Sequence, residues 1–282
     1  MIDATTTSIE LRPDPVFVIG SPRSGTTALA TALALHPDFW VSKESYFLHA
    51  LLGDRRASDV WIQNQERVTP SWLRHEGVSR EEFLAAVGAG FGALYASRSG
   101  GRRWIDHTPR YTTMVDDLAD LFPGASFLHI VRDGREVVRS MSNFERVFDD
   151  EQRAAATHEI PAWTSDVAEA CRTWARWTDH ALDLEQRRPE RVLRVVNHEL
   201  SAEPAEGFVR IFAFLGCPPD PAPAERFGGT RLNTSFADVD HRGAGWDEFP
   251  RAARATFVEE AGEAMERAGF ADPGELAAWA AG

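Results

Sequence analysis

The stretch from Phe17 to Thr27 reads FVIGSPRSGTT, an apolar run that breaks into a loop of Gly, Ser and Thr. The run from 15 to 20 is bounded by proline and glycine, which is typical of a strand buried on both faces. The residues that follow, TTALATALAL, predict a helix over 26–35 that ends near His36-Pro37. A strand, a Gly-bounded loop and a helix in this order direct backbone N–H groups and a helix dipole at an anion. The stretch therefore predicts an anion-binding turn of an α/β protein.

The loop departs from the nucleoside-triphosphate pattern at one position. Gly20 and Gly25 match the glycines of G-x-x-x-x-G-K-[ST], but Thr26 stands where the lysine belongs. That lysine reaches the terminal phosphates of a triphosphate, so its absence disfavours triphosphate transfer. Arg23 places a cation inside the loop instead, suited to gripping the bridging oxygen at a 5′ end while a group departs. A Gly-rich turn without a ligand is the alternative, and it leaves the cation and the hydroxyls of Ser24, Thr26 and Thr27 unexplained.

Strands and helices alternate along the rest of the chain. Further strands are predicted at 39–42, 103–106, 126–131 and 191–196. Further helices are predicted at 45–52, 81–96, 111–122, 135–148, 164–187, 203–215 and 251–268. This alternation indicates an α/β fold with three layers, P-loop-like, in which helices flank a mostly parallel central sheet.

Four segments lack a clear period. Residues 1–14 are polar and are expected to form a flexible lead-in, and the acidic, Ala-rich piece 149–162 is expected to be a mobile loop. Residues 55–65 and the Pro-, Gly- and Asn-rich stretch 218–250 are predicted to be irregular. No break in composition marks a boundary, so residues 15–282 are predicted to form a single domain.

Composition excludes several classes of protein. The 282 residues are 43% hydrophobic and 26% charged, as in a globular protein, and the net charge of −13 argues against nucleic-acid binding. Cys171 and Cys217 give neither a disulfide framework nor metal-ligand spacing. The first residues lack a secretion signal, and no apolar run reaches the roughly 20 residues that span a bilayer. We expect a cytoplasmic protein without membrane insertion, and the oligomeric state stays open.

A second candidate anion site lies in SFLHIVRDGREVVRS, residues 126–140. Arg132 stands at the predicted end of a strand, where its side chain projects into the crevice in which open α/β sheets bind ligands. Its planar guanidinium suits bidentate contacts to phosphate. Ser140 follows about two turns into the next helix. An Arg and a Ser at this spacing are common by chance, so they indicate a phosphate site only in combination with the loop GSPRSGTT.

The loop GSPRSGTT resembles the 5′-phosphosulfate-binding loop of sulfotransferases that use 3′-phosphoadenosine 5′-phosphosulfate (PAPS). That family has a P-loop-like α/β fold and needs neither the Walker lysine nor a metal. The resemblance implies that Arg132 and Ser140 hold the 3′-phosphate of the nucleotide. It also implies that seven loop residues hold the 5′ end: Ser21, Pro22, Arg23, Ser24, Gly25, Thr26 and Thr27.

A third segment, VDHRGAGWDEF, resembles the family segment R-K-G-x-x-G-x-W, which closes over the 3′-phosphate. Arg242 and Gly243 carry over to the matching positions. The lysine is absent, and the spacing to Trp246 is one residue shorter. A Gly-rich surface loop is the alternative interpretation.

The residue that takes the acceptor's proton is expected after the first helix. HPDFWVSKESYFLHALL resembles the family segment in which a Glu follows that helix and acts as general base, which implies this role for Glu44. A carboxylate favoured by a helix N-terminus is the alternative. His107, in WIDHTPRY, stands where the family commonly has Lys in D-K-T-P-x-Y. An imidazole is a rival base or a donor to the sulfuryl group. We prefer Glu44 as the base and assign His107 a catalytic role in binding or assisting the sulfuryl group.

Together these patterns predict a PAPS-dependent sulfotransferase. It would transfer a sulfuryl group to a hydroxyl of a small-molecule or saccharide acceptor by in-line displacement, release 3′-phosphoadenosine 5′-phosphate (PAP) and require no metal. A P-loop nucleotide or small-molecule kinase is disfavoured by Thr26 and by the lack of a clear magnesium-binding Asp, since Asp133 follows Arg132. A non-catalytic protein that binds adenosine bisphosphate is the other alternative.

Overall fold

The computed structural model describes residues 14–53, 56–69, 71–144, 161–229 and 249–282. Its centre is a sheet of five strands: β1 (Val16–Ile19), β2 (Phe39–Val41), β3 (Arg103–Asp106), β4 (Ser126–Val131) and β5 (Val192–Val196). The strand order is β2-β3-β1-β4-β5, and every neighbouring pair is parallel. The predicted α/β fold with a parallel sheet is confirmed.

Helices connect the strands. The first half of the described chain contains α1 (Thr26–Leu33), α2 (Phe47–Leu52), α3 (Ala57–Gln65), α4 (Trp72–His75), α5 (Arg80–Ser99) and α6 (Val115–Leu121). The second half contains α7 (Gly134–Ser142), α8 (Val167–Arg187), α9 (Asn197–Ala202), α10 (Pro204–Leu215), α11 (Pro221–Gly228), α12 (Arg251–Ala268) and α13 (Pro273–Ala281). Short 3₁₀ turns lie at Pro109–Met114, Ala162–Thr164 and Pro189–Arg191.

The sheet is buried on both faces. In β1 the side chains of Phe17 and Ile19 pack with Trp104 and Phe127 in one apolar cluster, together with residues of α5, α6 and α8. The intervening residues of β1 point the other way, into a second cluster with residues of α1, α10 and α11. Alternation along a strand produces these two cores, and helices on both faces make the three layers that the sequence predicts.

Two segments predicted to be irregular contain helices. Residues 57–65 form α3, whose first residues Ala57 and Ser58 are buried although the segment has no amphipathic period. In the stretch 218–250, α11 begins where the Asp220 side chain accepts from the backbone N–H of Ala222, with Pro221 in the first turn. Proline is tolerated there because the first-turn N–H groups have no partner within the helix. Both predictions of irregular structure were wrong at these helices.

Other boundaries differ in detail. The helix predicted over 111–122 is divided into the 3₁₀ turn Pro109–Met114 and α6. Helix α13 was not predicted, although Asp272 and Glu275 form the capping box that signals its start. The predicted lead-in lies outside the described residues except for Asp14, and so does nearly all of the predicted mobile loop 149–162. Among the helices that the structure describes, none is both long enough and apolar enough to cross a membrane.

Candidate anion and acceptor site

Each predicted site residue within the described ranges lies just after the carboxyl end of a strand or in the helix that follows that strand. The strands are parallel, so their carboxyl ends meet at one edge of the sheet. The predicted anion-binding loop GSPRSGTT, residues 20–27 and called the anion loop below, follows β1. The segment of Glu44 follows β2, His107 follows β3, and Arg132 follows β4. The fold thus gathers residues that are far apart in the sequence.

The anion loop has a backbone that requires its two glycines. Gly20 has a φ of 151°, and a Cβ there would lie 2.3 Å from the carbonyl oxygen of Ile130. Gly25 has a φ of 106°, and a Cβ there would lie 2.6 Å from Nδ2 of Asn197. Arg23 also has a positive φ, 70°, a strained conformation for a residue with a side chain. The backbone of the loop therefore has a conformation that is locally unfavourable and that contacts with the rest of the fold must maintain.

Two residues hold this loop from outside. The backbone N–H of Gly20 donates to Oγ1 of Thr112 at 2.9 Å, and the Thr112 hydroxyl donates to the carbonyl oxygen of Gly20 at 3.0 Å. Nδ2 of Asn197 donates to the carbonyl oxygen of Ser24 at 3.0 Å. Asn197 and Thr112 are both buried. These two clamps were not predicted, because they join residues 92 and 173 positions apart.

The first turn of α1 directly follows the loop between the two glycines. Gly25 is its N-cap, and among the described residues no side chain caps this turn. Such a turn leaves backbone N–H groups without a partner inside the helix. Thr27 is exposed at the turn, whereas the side chains of Ser21, Ser24 and Thr26 are buried. The loop can therefore present backbone amides and the Thr27 hydroxyl to a ligand.

The two predicted anion-binding elements are in direct contact. Nε of Arg23 donates to Oγ of Ser140 at 3.1 Å, and its guanidinium lies over the ring of Phe144, 5.2 Å from the centroid. Burial, and after it the nearby Arg132, lower the pKa of Arg23. A guanidinium whose charge is disfavoured by burial and by a second guanidinium is one that a bound anion would stabilise.

Arg132 and its neighbours form the turn into α7. Nε of Arg132 pairs with Glu136 at 2.7 Å. Asp133 caps α7 by accepting from the N–H of Arg135 at 2.8 Å, and it also pairs with the Arg135 guanidinium. The magnesium ligand considered for a kinase is thus engaged in capping. Within the described ranges, no three His, Cys, Asp or Glu side chains are grouped as metal ligands would be.

A cavity of about 770 Å³ adjoins the loop. Its lining is Thr27, Thr31, Ala34, Val41, Ser42, Lys43, Glu44, Tyr46 and His107. The cavity thus brings both predicted proton-transfer residues beside a residue of the anion loop. Since a carbonyl oxygen only accepts, the His107 ring donates from Nε2 to the oxygen of Ser42 at 3.0 Å. Its other nitrogen, Nδ1, is buried without a hydrogen-bond partner in the described part of the chain.

The segment after Glu44 is fixed by a buried polar network. Oγ of Ser45 donates to the Asp106 carboxylate at 2.7 Å, and the Tyr95 hydroxyl donates to the same oxygen at 2.6 Å. The backbone N–H of Ser45 donates to Oγ1 of Thr108 at 2.8 Å. The Tyr111 hydroxyl lies 2.6 Å from Oγ of Ser45. Burial, and then Asp106, raise the pKa of Tyr111 to about 12, so its hydroxyl stays protonated.

Comparison with known proteins identifies the family of this chain. Residues 15–221 match the model of the family described as "Sulfotransferase family". The chain belongs to the sulfotransferase family. The protein-tyrosine sulfotransferase of Drosophila melanogaster is 26% identical over 210 residues, which are 72% of this chain and 38% of that protein. The nodulation protein NoeE of Sinorhizobium fredii is 28% identical over 139 residues, which are 48% of this chain and 33% of that protein. This family member spans less than half the length of these two relatives.

Solved structures of other family members share the fold. The sulfotransferase domain of the Synechococcus PCC 7002 olefin synthase superposes with a TM-score of 0.53 at 20% identity, covering 95% of this chain and 93% of that one. A sulfotransferase from Alicyclobacillus acidocaldarius gives 0.52 at 17% identity, covering 90% and 93%. At these identities the likeness concerns the fold.

The described residues of the predicted site are all at this edge of the sheet. Arg23 and Ser140 touch, Arg132 is near them, and Glu44 and His107 border one cavity with Thr27. Arg242 and Gly243 lie outside the described residues. Sequence reasoning missed Asn197 and Thr112, although the position directly after β5 was a signal that pointed to Asn197.

Proposed function

We propose that this chain transfers a sulfuryl group from PAPS to an acceptor hydroxyl by in-line displacement and releases PAP. The observation that supports this most is the contact between Arg23 and Ser140, which joins the two anion-binding elements. The exposed Thr27 of the same loop also borders the cavity of Glu44. A nucleotide with a charged group at each end fits this pair of elements, and a reactive 5′ group would then face the cavity.

The residues at the loop fit a bisphosphate nucleotide. We assign the 5′-phosphosulfate to the seven loop residues, with the first-turn amides of α1 and the Arg23 guanidinium as the donors. We assign the 3′-phosphate to Arg132 and Ser140. The contact between Arg23 and Ser140 is compatible with both roles, because Oγ accepts from Nε while its own proton remains available to a phosphate oxygen.

PAPS would supply the sulfuryl group as its 5′-phosphosulfate. The acceptor oxygen forms a bond to sulfur, and its proton passes to the Glu44 carboxylate. The bond between sulfur and the bridging oxygen breaks, and its electron pair stays on the 5′-phosphate of PAP. Arg23 and the loop amides are placed to stabilise the charge that develops there. His107, whose Nδ1 lacks a protein partner within the described residues, is assigned to assist at the sulfuryl group.

The acceptor is proposed to be a hydroxyl compound, either a small molecule or a saccharide. Because several curated relatives are protein-tyrosine sulfotransferases, a phenol is a sensible first probe. The cavity walls formed by Thr31, Ala34 and Val41 are small or apolar, and Lys43 adds a cation at the rim. Because Glu44 balances the charge of Lys43, these features favour an uncharged acceptor over a multiply charged one.

Incubation with PAPS and a panel of hydroxyl compounds tests this proposal. The panel holds 4-nitrophenol, a tyrosine peptide, a secondary alcohol and a glycoside. Mass spectrometry should find one SO₃ group added to at least one of them, with release of an equal amount of PAP and without added magnesium. Phosphate transfer from ATP–magnesium instead would identify a kinase. Tight PAP binding without any transfer would identify a non-catalytic nucleotide-binding protein.

A further inference from the structure

Tyr46 is in direct contact with the proposed base. Its hydroxyl donates to Oε2 of Glu44, two residues earlier in the chain. Its side chain is 53% exposed and borders the same cavity as Glu44, Thr27 and His107. The phenol therefore lies at the rim of the acceptor cavity with its hydroxyl on the carboxylate.

The backbone at Tyr46 is strained. Its φ is 55°, in the left-handed region that an aromatic residue rarely adopts. Such a conformation is unfavourable and persists only where surrounding contacts impose it. Arg23 of the anion loop is the other described non-glycine residue with positive φ. Both strained residues lie at the proposed site.

The contacts that impose this conformation lie on either side of Tyr46. Ser45 is tied to Asp106 and Thr108 through its hydroxyl and its backbone N–H. On the other side, the backbone N–H of Leu48 donates to the Tyr111 hydroxyl at 3.0 Å. Asp106 itself is only 4% exposed, so this anchor is part of the core. In this left-handed conformation the Tyr46 hydroxyl reaches the Glu44 carboxylate.

We infer that Tyr46 is a positioning residue that holds the Glu44 carboxylate through Oε2 and leaves Oε1 for the acceptor hydroxyl. This inference rests on the proposed function, in which Glu44 is the base. A carboxylate on a flexible stem loses rate when it samples other rotamers, because proton transfer requires the base within hydrogen-bond reach of the acceptor. One donor on one oxygen removes that freedom without occupying the other oxygen.

The charges around the contact keep the phenol a donor. Partial burial first, and then the hydrogen bond and the charge of Glu44, raise the pKa of Tyr46. Asp106 acts in the same direction, and Arg110 opposes it. Lys43 and His107 also border the cavity. The Tyr46 hydroxyl is therefore protonated at neutral pH, as a donor to a carboxylate must be.

A titration tests the contact independently of activity. The chain has three tyrosines, so ultraviolet absorbance follows each phenol as pH rises. In Glu44→Gln one tyrosine should ionise at lower pH than in the parent, because the carboxylate that disfavours its phenolate is gone. That transition should be absent from Tyr46→Phe and from the double variant. If Glu44→Gln leaves the alkaline titration unchanged, Tyr46 does not donate to Glu44 and the inference is wrong.

Kinetics test the positioning role. With PAPS and the best acceptor of the panel, Tyr46→Phe should lower kcat about tenfold and leave the Kd for PAP unchanged. The KM for the acceptor should stay the same, because a positioned base acts on the transition state and not on acceptor binding. Trp72→Phe, at an aromatic side chain that is 70% exposed, is the matched control and should change none of these quantities.

Two results would overturn this role. An equal kcat in Tyr46→Phe, or a fall in kcat matched by a rise in the KM for the acceptor, would show that the hydroxyl does not act through Glu44. An SO₃ group found on the Tyr46 peptide after incubation with PAPS would show that Tyr46 is itself an acceptor. A parent enzyme that sulfates nothing in the panel would refute the proposed function instead, and the titration would still report on the contact.

Discussion

At the scale of single residues, Glu44 carries the proposed proton transfer. Glu44→Gln should lower kcat by roughly 10²–10⁴-fold, the usual contribution of a positioned general base. The Kd for PAP should stay the same, because Glu44 borders the acceptor cavity and is not part of the anion loop. Steady-state rates and calorimetry measure the two quantities, with Glu81→Gln on the exposed surface of α5 as control. Unchanged turnover would transfer the base role to His107.

Asn197 is predicted to act through the loop that it holds. Removing its side chain in Asn197→Ala leaves the buried carbonyl oxygen of Ser24 without that donor, which costs roughly 1–3 kcal/mol. We expect the Kd for PAP to rise by about fivefold or more as the loop relaxes. Asn64→Ala removes a similar bond, from Nδ2 to the carbonyl oxygen of Val60 within α3, and should leave PAP binding unchanged. An equal effect of both variants would contradict a specific role for Asn197.

The residues found from the sequence were those with a local pattern around them. Arg132 ends an apolar run, and Arg23 lies between two spaced glycines. Asn197, Thr112 and Tyr46 have no such pattern. Their roles depend on hydrogen bonds between distant parts of the chain or on a backbone conformation, and neither can be predicted from the adjacent residues in the sequence.

At the scale of elements, the turn from β1 into α1 makes the anion site. Gly25→Ala should abolish measurable PAP binding, because φ is 106° and the new Cβ would meet Asn197 at 2.6 Å. Gly90→Ala, in the middle of α5 with no atom within 4 Å of the new Cβ, is the control. It should bind PAP normally and be stabilised by up to about 1 kcal/mol. Thermal unfolding measures the stability of both variants, and calorimetry measures their affinity for PAP. Normal PAP binding by Gly25→Ala would refute this account of the loop.

Elements differ in how far the sequence reveals them. The strands β1 and β4 are apolar runs bounded by turn residues, which is the strongest local signal of a buried strand. Helix α3 has no such signal, because its sequence ASDVWIQNQ gives no apolar stripe and its place depends on tertiary contacts. The helix α11 was hidden by prolines that are compatible with a first turn.

At the scale of the whole molecule, the buried His129 should make the fold acid-sensitive. It lies in β4, 1% exposed, with Nδ1 3.7 Å from Glu185, and burial lowers its pKa. The unfolded chain therefore binds a proton more readily below about pH 6.5, so stability falls as pH drops through that range. His129→Leu should flatten the dependence of unfolding free energy on pH between 7 and 5 by up to about 1.4 kcal/mol per pH unit. The exposed His75, changed to Leu, is the control, and an unchanged slope in His129→Leu would be the contrary result.

The overall charge and the site have opposite signs. The chain carries a net charge of −13, yet Arg23 and Arg132 lie near each other at the loop. In an acidic protein, an anion needs a local group of cations. The anion loop and the end of β4 provide such a group by placing Arg23 near Arg132. The family match spans residues 15–221, and the single domain over 15–282 stays a prediction.

The central claim is that one nucleotide is held at both of its phosphates by this pair of cationic elements. Calorimetry without magnesium, comparing PAP with 5′-AMP, tests it most directly in the parent, in Arg132→Ala and in Arg187→Ala. Arg187 forms a surface ion pair with Asp116 and serves as the control. We expect PAP to bind far more tightly than 5′-AMP, and Arg132→Ala to reduce that preference by about tenfold or more, as a charge-assisted bond of roughly 1.5–3 kcal/mol requires. Equal affinities for the two nucleotides in the parent, or an undiminished preference in Arg132→Ala, would contradict the account.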